Sequence, residues 1–297
     1  MEKVNISLLG AGYWGSKISS QLKILSHVNK VEIVDIKDGK TIDDINYKNV
    51  IVATPAWDHY EQTCKLLERG HNIYVEKPLA LTTDECVDIK SKIDSQIVLV
   101  GHIFLYNERL HKIKEIIDQG KIGKVRYIES TRQNWGRFQT KISTLLSLAP
   151  HDVSIIHYLL GYAPFTDIEY KGVNLSGKVQ NDIDTYQFRC KDVDVKFNLS
   201  WYHPAKIRTM SIIGTEGMIY WDEEQHEVVM YDKLWENDRM NYDTTSNPHK
   251  FDITCNPLRN QLRDFVSCIE NSSQPSSNVD VAIEVASNLD LLSRYSS

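Results

Sequence analysis

Through the first third of the chain, short apolar runs alternate with segments whose apolar residues recur at helical spacing. Residues 4–9 (VNISLL) read as a strand, and residues 13–25 place Ile18, Leu22 and Leu25 on one helical face. Val31 to Val34 reads as the next strand. A polar stretch then leads to the apolar strand Val50 to Ala53, which ends at Thr54-Pro55. A helix from about Trp57 to Arg69 stops at Gly70, and strand 72–75 runs into Glu76-Lys77-Pro78. Helix 82–94 starts at Thr82 or Thr83 with Glu85 in its first turn, and strand 96–100 ends at Gly101-His102. Strands joined by crossover helices predict a parallel sheet between two helical layers, with ligands at the carboxyl ends of the strands. Gly10 to Gly15, Asp35, Thr54, Pro55, Lys77 and His102 all fall at those ends, hence on one edge of the sheet.

The period changes from about residue 124. A helix near 107–118 ends at Gln119-Gly120, and Lys124 to Thr131 reads as a strand. Val193, Val195, Phe197, Leu199 and Trp201 then alternate with polar residues. Alternation of that kind marks strands buried on one face, as in an antiparallel sheet. Residues 212–220 read as a hairpin through a glycine-bounded turn, and helical patterns recur at 150–160, 257–270 and 279–293. The fold class expected is α/β: a Rossmann-type parallel sheet over residues 1–120, followed by an α+β domain over 121–297 with an open, mostly antiparallel sheet.

Size agrees with two domains, because 297 residues exceed what one hydrophobic core usually serves. A net charge of −6, without a lysine- or arginine-rich run, points away from nucleic acid and anionic membranes and toward a small soluble ligand. No apolar stretch reaches the roughly 18 residues of a membrane span, and no signal-peptide pattern precedes the first strand, so a cytoplasmic protein is expected. Cys64, Cys86, Cys190, Cys255 and Cys268 lie far apart with no CxxC, which suggests neither a disulfide framework nor a metal site.

The chemistry begins at Gly10-Ala11-Gly12-Tyr13-Trp14-Gly15, set between a strand and a helix. Gly10 allows the tight turn, Gly12 admits a pyrophosphate to the backbone, and Gly15 lets helix and strand pack closely, with the phosphates at the helix N-terminus. Asp35 ends the second strand about twenty residues later, where an acidic side chain accepts from ribose hydroxyls and repels a 2′-phosphate. NAD is thereby favoured over NADP, although Lys37 two residues on works against that preference.

These segments, with Ala53-Thr54-Pro55 and His59, Glu76-Lys77-Pro78, Gly101-His102, Gly120-Lys121-Ile122-Gly123 and Ala149-Pro150-His151-Asp152, resemble the glucose-fructose oxidoreductase/inositol dehydrogenase (Gfo/Idh/MocA) family over roughly residues 4–221. LAPHDVSIIHYLLG and GHIFLYN look most like members acting on nucleotide-linked sugars. The resemblance implies an NAD(P)-dependent oxidoreductase acting at a secondary alcohol or ketone carbon of a sugar, with the substrate cleft between the domains. It also implies a homodimer or homotetramer formed through the outer sheet face. Lys77 would sit beside the nicotinamide and the reacting hydroxyl, with its bond to Pro78 often cis in relatives, and His151 would exchange the proton. Relatives usually carry an aspartate four residues before that histidine, where this chain has Ser147. The usual catalytic set is then incomplete, and a nucleotide-binding regulator with weak or no turnover becomes the alternative. A glycosidic-bond cleavage through transient oxidation, used by some relatives, is also open. Only fourteen residues separate Asp35 from Val50, where relatives insert a helix and a strand, so the adenine side is expected to be trimmed.

Several candidates carry a plain structural reading beside the functional one. Tyr13, Trp14, Thr54, Pro55, His59 and Glu76 are candidate cofactor contacts, yet His59 can equally cap or pack its helix. His102, Asn107, Arg132, Asn134, Trp135 and Ser147 are candidate substrate contacts, with Trp135 suited to stack on a ring, yet a polar strand end explains several of them as well. Asp152 points away from His151 on a helix. Trp201 reads as core or subunit interface.

Overall fold

A computed structural model describes residues 3–136, 142–177, 181–232, 235–236, 239–240 and 248–296. Strands β1 (Val4–Leu9), β2 (Val28–Val34), β3 (Asn49–Val52), β4 (Asn72–Val75) and β5 (Val98–Val100) form a parallel sheet in the order β2-β1-β3-β4-β5. In chain order the helices are α1 (Tyr13–Leu22), α2 (His59–Glu68), α3 (Thr83–Ser91), α4 (Glu108–Asp118), α5 (Thr144–Leu160), α6 (Pro257–Asn271) and α7 (Val279–Ser293). Val34, Leu9, Val52, Val75 and Val100 lie in register across the parallel sheet, so all five strands end on one line. Local chemistry sets the helix starts. Thr82 and Glu85 form a reciprocal capping box at α3, and Ser143 Oγ accepts the Leu146 N–H at α5.

The chain divides into two compact units, Met1–Asn107 with Asn256–Ser287, and Glu108–Cys255 with Asn288–Ser297. This differs from a cut at residue 120, because α6 and most of α7 belong with the parallel sheet. The reason lies in burial. A parallel sheet needs both faces covered, and its residues alternate between two cores. Ile6, Leu8, Ile51, Tyr74 and Leu99 pack against Ile18 and Leu22 of α1 together with Leu258, Leu262 and Phe265 of α6. Val50, Val52, Ile73, Val75 and Val98 pack on the other side, against Leu66, Leu67 and Ile89 with Val279, Ala282 and Ala286 of α7. Between Asp35 and β3 the structure has only the 3-10 turns Ile36–Asp38 and Ile42–Asp44, so β2 is the edge strand, trimmed as expected.

The second unit is built on β6 (Val125–Gln133), β7 (Phe165–Val173), β8 (Ile183–Cys190), β9 (Val193–Ser200), β10 (Ile207–Gly214), β11 (Gly217–Asp222), β12 (Glu227–Asp232) and β15 (Pro248–Phe251), with β13 (Trp235–Glu236) and β14 (Arg239–Met240) as a separate small ribbon. Its sheet runs β15-β12-β11-β10-β6-β9-β8-β7, antiparallel except where β6 meets β9. Helix α5 packs against β6, β8 and β9, with α4 beside it. The pattern at 150–160 underestimates α5, which begins at Thr144. Proline usually opens a helix, yet Pro150 sits inside this one. Among the described residues no helix is long and apolar enough to cross a membrane. All five cysteines are free, and all but Cys255 are buried.

Candidate functional site: a glycine cradle and a buried carboxyl beside Lys77

The turn after β1 is shaped by what a side chain would strike. Gly10 takes φ +91°, and a Cβ there would lie 2.8 Å from the Ala53 carbonyl oxygen; a Cβ at Gly15 would lie 2.1 Å from the Gly10 carbonyl oxygen. Gly12 differs from both, because a Cβ there would meet no atom within 4 Å. Two glycines therefore close the turn against β3, and the third keeps open space at the N-terminus of α1. No side chain caps that terminus and its first turn holds no acidic residue. Backbone N–H groups and the positive end of the helix dipole thus face open space, the arrangement that binds phosphate. Tyr13 and Trp14 stand on the first turn, with Lys17 Nζ 4.4 Å and 5.4 Å from their ring centroids.

Asp35 ties this turn to the end of β2. Its Oδ2 accepts the Ala11 N–H at 2.6 Å and its Oδ1 accepts the Lys37 N–H at 2.9 Å. These backbone hydrogen bonds, that from Lys37 above all, hold its carboxyl below the usual range, so a fixed negative charge stands at this strand end. A cleft of about 590 Å³ opens here, lined by Gly10, Gly12, Tyr13, Trp14, Asp35, Thr54 and Pro55, and also by Lys37, Lys40 and Lys65. The volume lies within the range of small-ligand and cofactor sites. Thr54 Oγ1 donates to Gln62 Oε1 at 2.6 Å, which holds the loop after β3 to α2.

His59 lies beneath the cleft rather than on its wall. It is fully buried, with Nδ1 2.6 Å from the Pro78 carbonyl oxygen and Nε2 3.0 Å from the Thr54 carbonyl oxygen, and burial lowers its pKa. The side chain expected at the cofactor instead binds the loop after β3 to the loop after β4. Lys77 lies in that second loop, and its bond to Pro78 is cis. Glu76 precedes it, one residue beyond the in-register strand end, and burial pushes its carboxyl up. Glycine is required where β5 ends, because a Cβ at Gly101 would lie 2.9 Å from Glu76 Oε2 and 3.0 Å from the Lys77 backbone nitrogen. His102 and Asn107 are buried in the same unit.

The remaining candidates lie in the second unit, and here Arg132 needs correction. It was expected to contact substrate, but it is buried in an ion network: Nε to Asp152 Oδ1 at 2.6 Å, Nη2 to Glu223 Oε1 at 2.5 Å and Nη1 to Glu223 Oε2 at 3.2 Å. Ser130 Oγ donates to the same Asp152 oxygen at 2.8 Å. Buried carboxylates demand a cation, and Arg132 answers two of them. Asp152 is thus committed to the sheet, away from His151, as its helical position implied. Asn134 Oδ1 accepts from Arg208 Nη2 at 2.5 Å. Trp135 is 67% exposed and meets Tyr202 edge-on at 5.6 Å. Ser147 and His151, both half-buried, are one helical repeat apart on α5 and share a face. His157 is a core residue: burial pushes it down to about 4, and the Asn288 amide lies 2.8 Å from its Nε2.

Sequence reasoning missed Gln261, Glu223 and Arg208. The first had a legible signal, since Gln261 interrupts the apolar stripe Leu258, Leu262, Phe265 of α6, and a polar residue on a buried face needs a partner. Glu223 and Arg208 had none, because strand pairing sets Arg208 opposite Arg132 and the Glu223 N–H donates to the Arg208 carbonyl oxygen, contacts between residues far apart in the chain.

Parallel sheet, phosphate cradle and acidic strand end form a Rossmann-type dinucleotide-binding fold, and residues 16–104 match the family described as "Oxidoreductase family, NAD-binding Rossmann fold". Residues 110–220 match the "GFO/IDH/MocA C-terminal domain". The chain belongs to the GFO/IDH/MocA family. It is 28% identical over 217 residues to 2,7-anhydro-N-acetylneuraminate hydratase of Mediterraneibacter gnavus, covering 63% of this chain and 58% of that protein. Over 207 residues it is 27% identical to scyllo-inositol 2-dehydrogenase (NAD(+)) of Bacillus subtilis, covering 64% and 59%. The chain spans little more than half the length of the curated relatives it matches. Among solved structures, UDP-N-acetylglucosamine 3-dehydrogenase GnnA from Acidithiobacillus ferrooxidans superposes with a TM-score of 0.82 at 17% identity over 99% of this chain and 98% of that one, a likeness of fold.

Proposed function

We propose that this chain is an NAD-dependent oxidoreductase acting at a secondary alcohol or ketone carbon of a sugar, free or nucleotide-linked. The observation that carries the reading is the uncapped α1 terminus over Gly12, with Lys77 on the same sheet edge. Backbone N–H groups at α1 would hold the pyrophosphate, Asp35 the ribose, and Thr54, Pro55 and Lys77 the nicotinamide end. When bound, the dinucleotide supplies the acceptor or donor of a hydride. Lys77 orients the reacting hydroxyl, and His151 exchanges its proton. Cytoplasmic localisation accords with a diffusible substrate and cofactor. Purified protein with NAD and a panel of free, UDP-linked and dTDP-linked sugars, followed at the absorbance of NADH, tests the proposal; no turnover on any of them would sink it.

The fixed charge on Asp35 favours NAD over NADP, against the pull of Lys37 and Lys40. Asp35→Ala removes that charge and the acceptor for two backbone amides. A hydrogen bond to a charged group contributes about 1.5–3 kcal/mol, so NAD affinity should fall about 10–100-fold while preference over NADP narrows, as titration calorimetry would show. Unchanged NAD affinity would remove Asp35 from the site.

The outer face of the second unit's sheet carries Tyr127, Ile213, Met218 and Tyr220, all half-buried, on neighbouring strands. We read this apolar patch as a subunit interface of a homodimer or homotetramer, and sedimentation of a pure monomer would refute it.

A second reading, a cofactor-binding regulator with weak turnover, is favoured by Ser147. One turn from His151, this hydroxyl can donate or accept a hydrogen bond but supplies no charge to hold an imidazolium. Ser147→Asp should raise the upper pKa seen in the pH–rate profile and, under the regulator reading, raise turnover about tenfold or more. A variant slower than wild type at every pH would dispose of that reading.

A further inference from the structure

Asn288 of α7 is fully buried and ties three elements of the second unit together. Its Oδ1 accepts the N–H of Phe165, the first residue of the edge strand β7, at 2.9 Å. Its Nδ2 lies 2.9 Å from the Ala163 carbonyl oxygen and 2.8 Å from Nε2 of His157 on α5. A backbone N–H only donates and a carbonyl only accepts, so these two partners fix the amide from both sides. Reversing it would set donor against donor at Phe165 and acceptor against acceptor at Ala163. The Asn288 nitrogen therefore gives one hydrogen to Ala163 and the other to His157. An amide nitrogen accepts nothing, so His157 Nε2 is the acceptor and bears no proton. Turning the imidazole over would put a ring carbon in its place. The proton of the neutral ring then sits on Nδ1, which is buried and meets no acceptor among the described residues.

We infer that Asn288 fixes His157 as a neutral imidazole with its proton on Nδ1, and that this joint of α5, α7 and β7 is an acid-labile latch, opened by a proton on Nε2. In the cation, two N–H groups would face each other across the 2.8 Å contact, and the hold on the Phe165 amide would loosen with it. The elements around the ring bring no charge to offset a cation. Tyr162 meets it edge-on with ring centroids 5.2 Å apart, and Phe165 lies tilted at 5.9 Å. Tyr158, the next residue on α5, turns to His111 of α4, and Lys191 reaches the Leu160 carbonyl at the end of α5. Asp290 falls two residues beyond Asn288, on another side of α7. Burial acts alone and pushes the imidazole down to about 4. In the unfolded chain the ring titrates near its ordinary 6.5, so the stabilisation is complete above that pH and is lost as pH falls toward 4.

Two readouts test the latch, neither of which depends on turnover. Nitrogen-15 NMR of protein labelled at the histidine rings, with His157 assigned through its own backbone resonances, should show a protonated Nδ1 and a bare Nε2 at neutral pH. A proton on Nε2, or a cation formed above about pH 6, would overturn the inference. Urea unfolding then compares wild type with His157→Gln, whose side-chain oxygen can still meet Asn288 but does not titrate. Between pH 7 and pH 5 the folding equilibrium should weaken about 20-fold more in wild type than in the variant, because other titrating groups are common to both. Equal losses in the two proteins would equally refute the latch. If His157→Gln does not fold, the ring nitrogens followed down to pH 4 decide alone. A protein that turns over no sugar would still yield both measurements, so this inference and the proposed activity fail separately.

Discussion

Lys77→Ala should lower kcat by about 10²–10⁴-fold on any sugar that supports turnover, while NADH binding weakens far less. The asymmetry follows from where binding and chemistry reside. On the proposed reading, the α1 terminus and Asp35 would hold the phosphates and ribose through groups the substitution leaves in place. What disappears is a cationic side chain just past the end of β4, which on that reading meets the alcohol proton as the hydride leaves. Lys77→Arg sharpens the test, since a guanidinium keeps the charge but does not deprotonate in a protein, so it should restore cofactor binding without restoring kcat. Turnover of Lys77→Ala within tenfold of wild type would place the proton transfer elsewhere.

Arg132→Leu should destabilise the second unit by about 3–5 kcal/mol, because it strands the fully buried carboxylate of Asp152 and the half-buried one of Glu223 without a cation. Burial already pushes the Glu223 carboxyl up, with Arg132 working against it, so the loss of the guanidinium leaves protonation as the remaining relief. Replacing all three by apolar residues, Arg132→Leu with Asp152→Leu and Glu223→Leu, should recover most of the loss. Urea unfolding followed by tryptophan fluorescence reads both variants, each unit's transition being compared by its midpoint. A single variant within about 1 kcal/mol of wild type would mean that the carboxylates find other partners, and that the network does not anchor α5. Asp152 immediately precedes Val153 and follows His151 on α5, so this anchor also fixes where His151 is presented.

Much of the first unit was legible because its signals are local. Strand 72–75 and the capping box at Thr82 and Glu85 are read from adjacent residues, and Gly10, Gly12 and Gly15 announce a turn whose steric demands the structure then displays. The helical pattern at 150–160 captured only the later part of α5, which runs from Thr144 with Pro150 inside it, where a proline breaks the local helical signal. His59 was placed near the cofactor loops but not in its actual task. Spacing brought it close to Thr54, and only packing revealed that its ring also reaches the Pro78 carbonyl.

By itself the sequence determined the strand–helix alternation, the single edge on which Gly10, Asp35 and Lys77 fall, and the change of period that separates the two kinds of sheet, because backbone period and glycine sterics act over a few residues. Tertiary structure alone decided that Arg132 belongs to Asp152 and Glu223, that α6 and the first part of α7 cover the parallel sheet, and that Gln261 reaches Glu76 through Tyr74. The physical reason is desolvation. Which cation a buried carboxylate finds, and which helix covers a bare sheet face, depends on what lies nearest once water is expelled, and nearness across some 187 residues of chain is not written in local spacing.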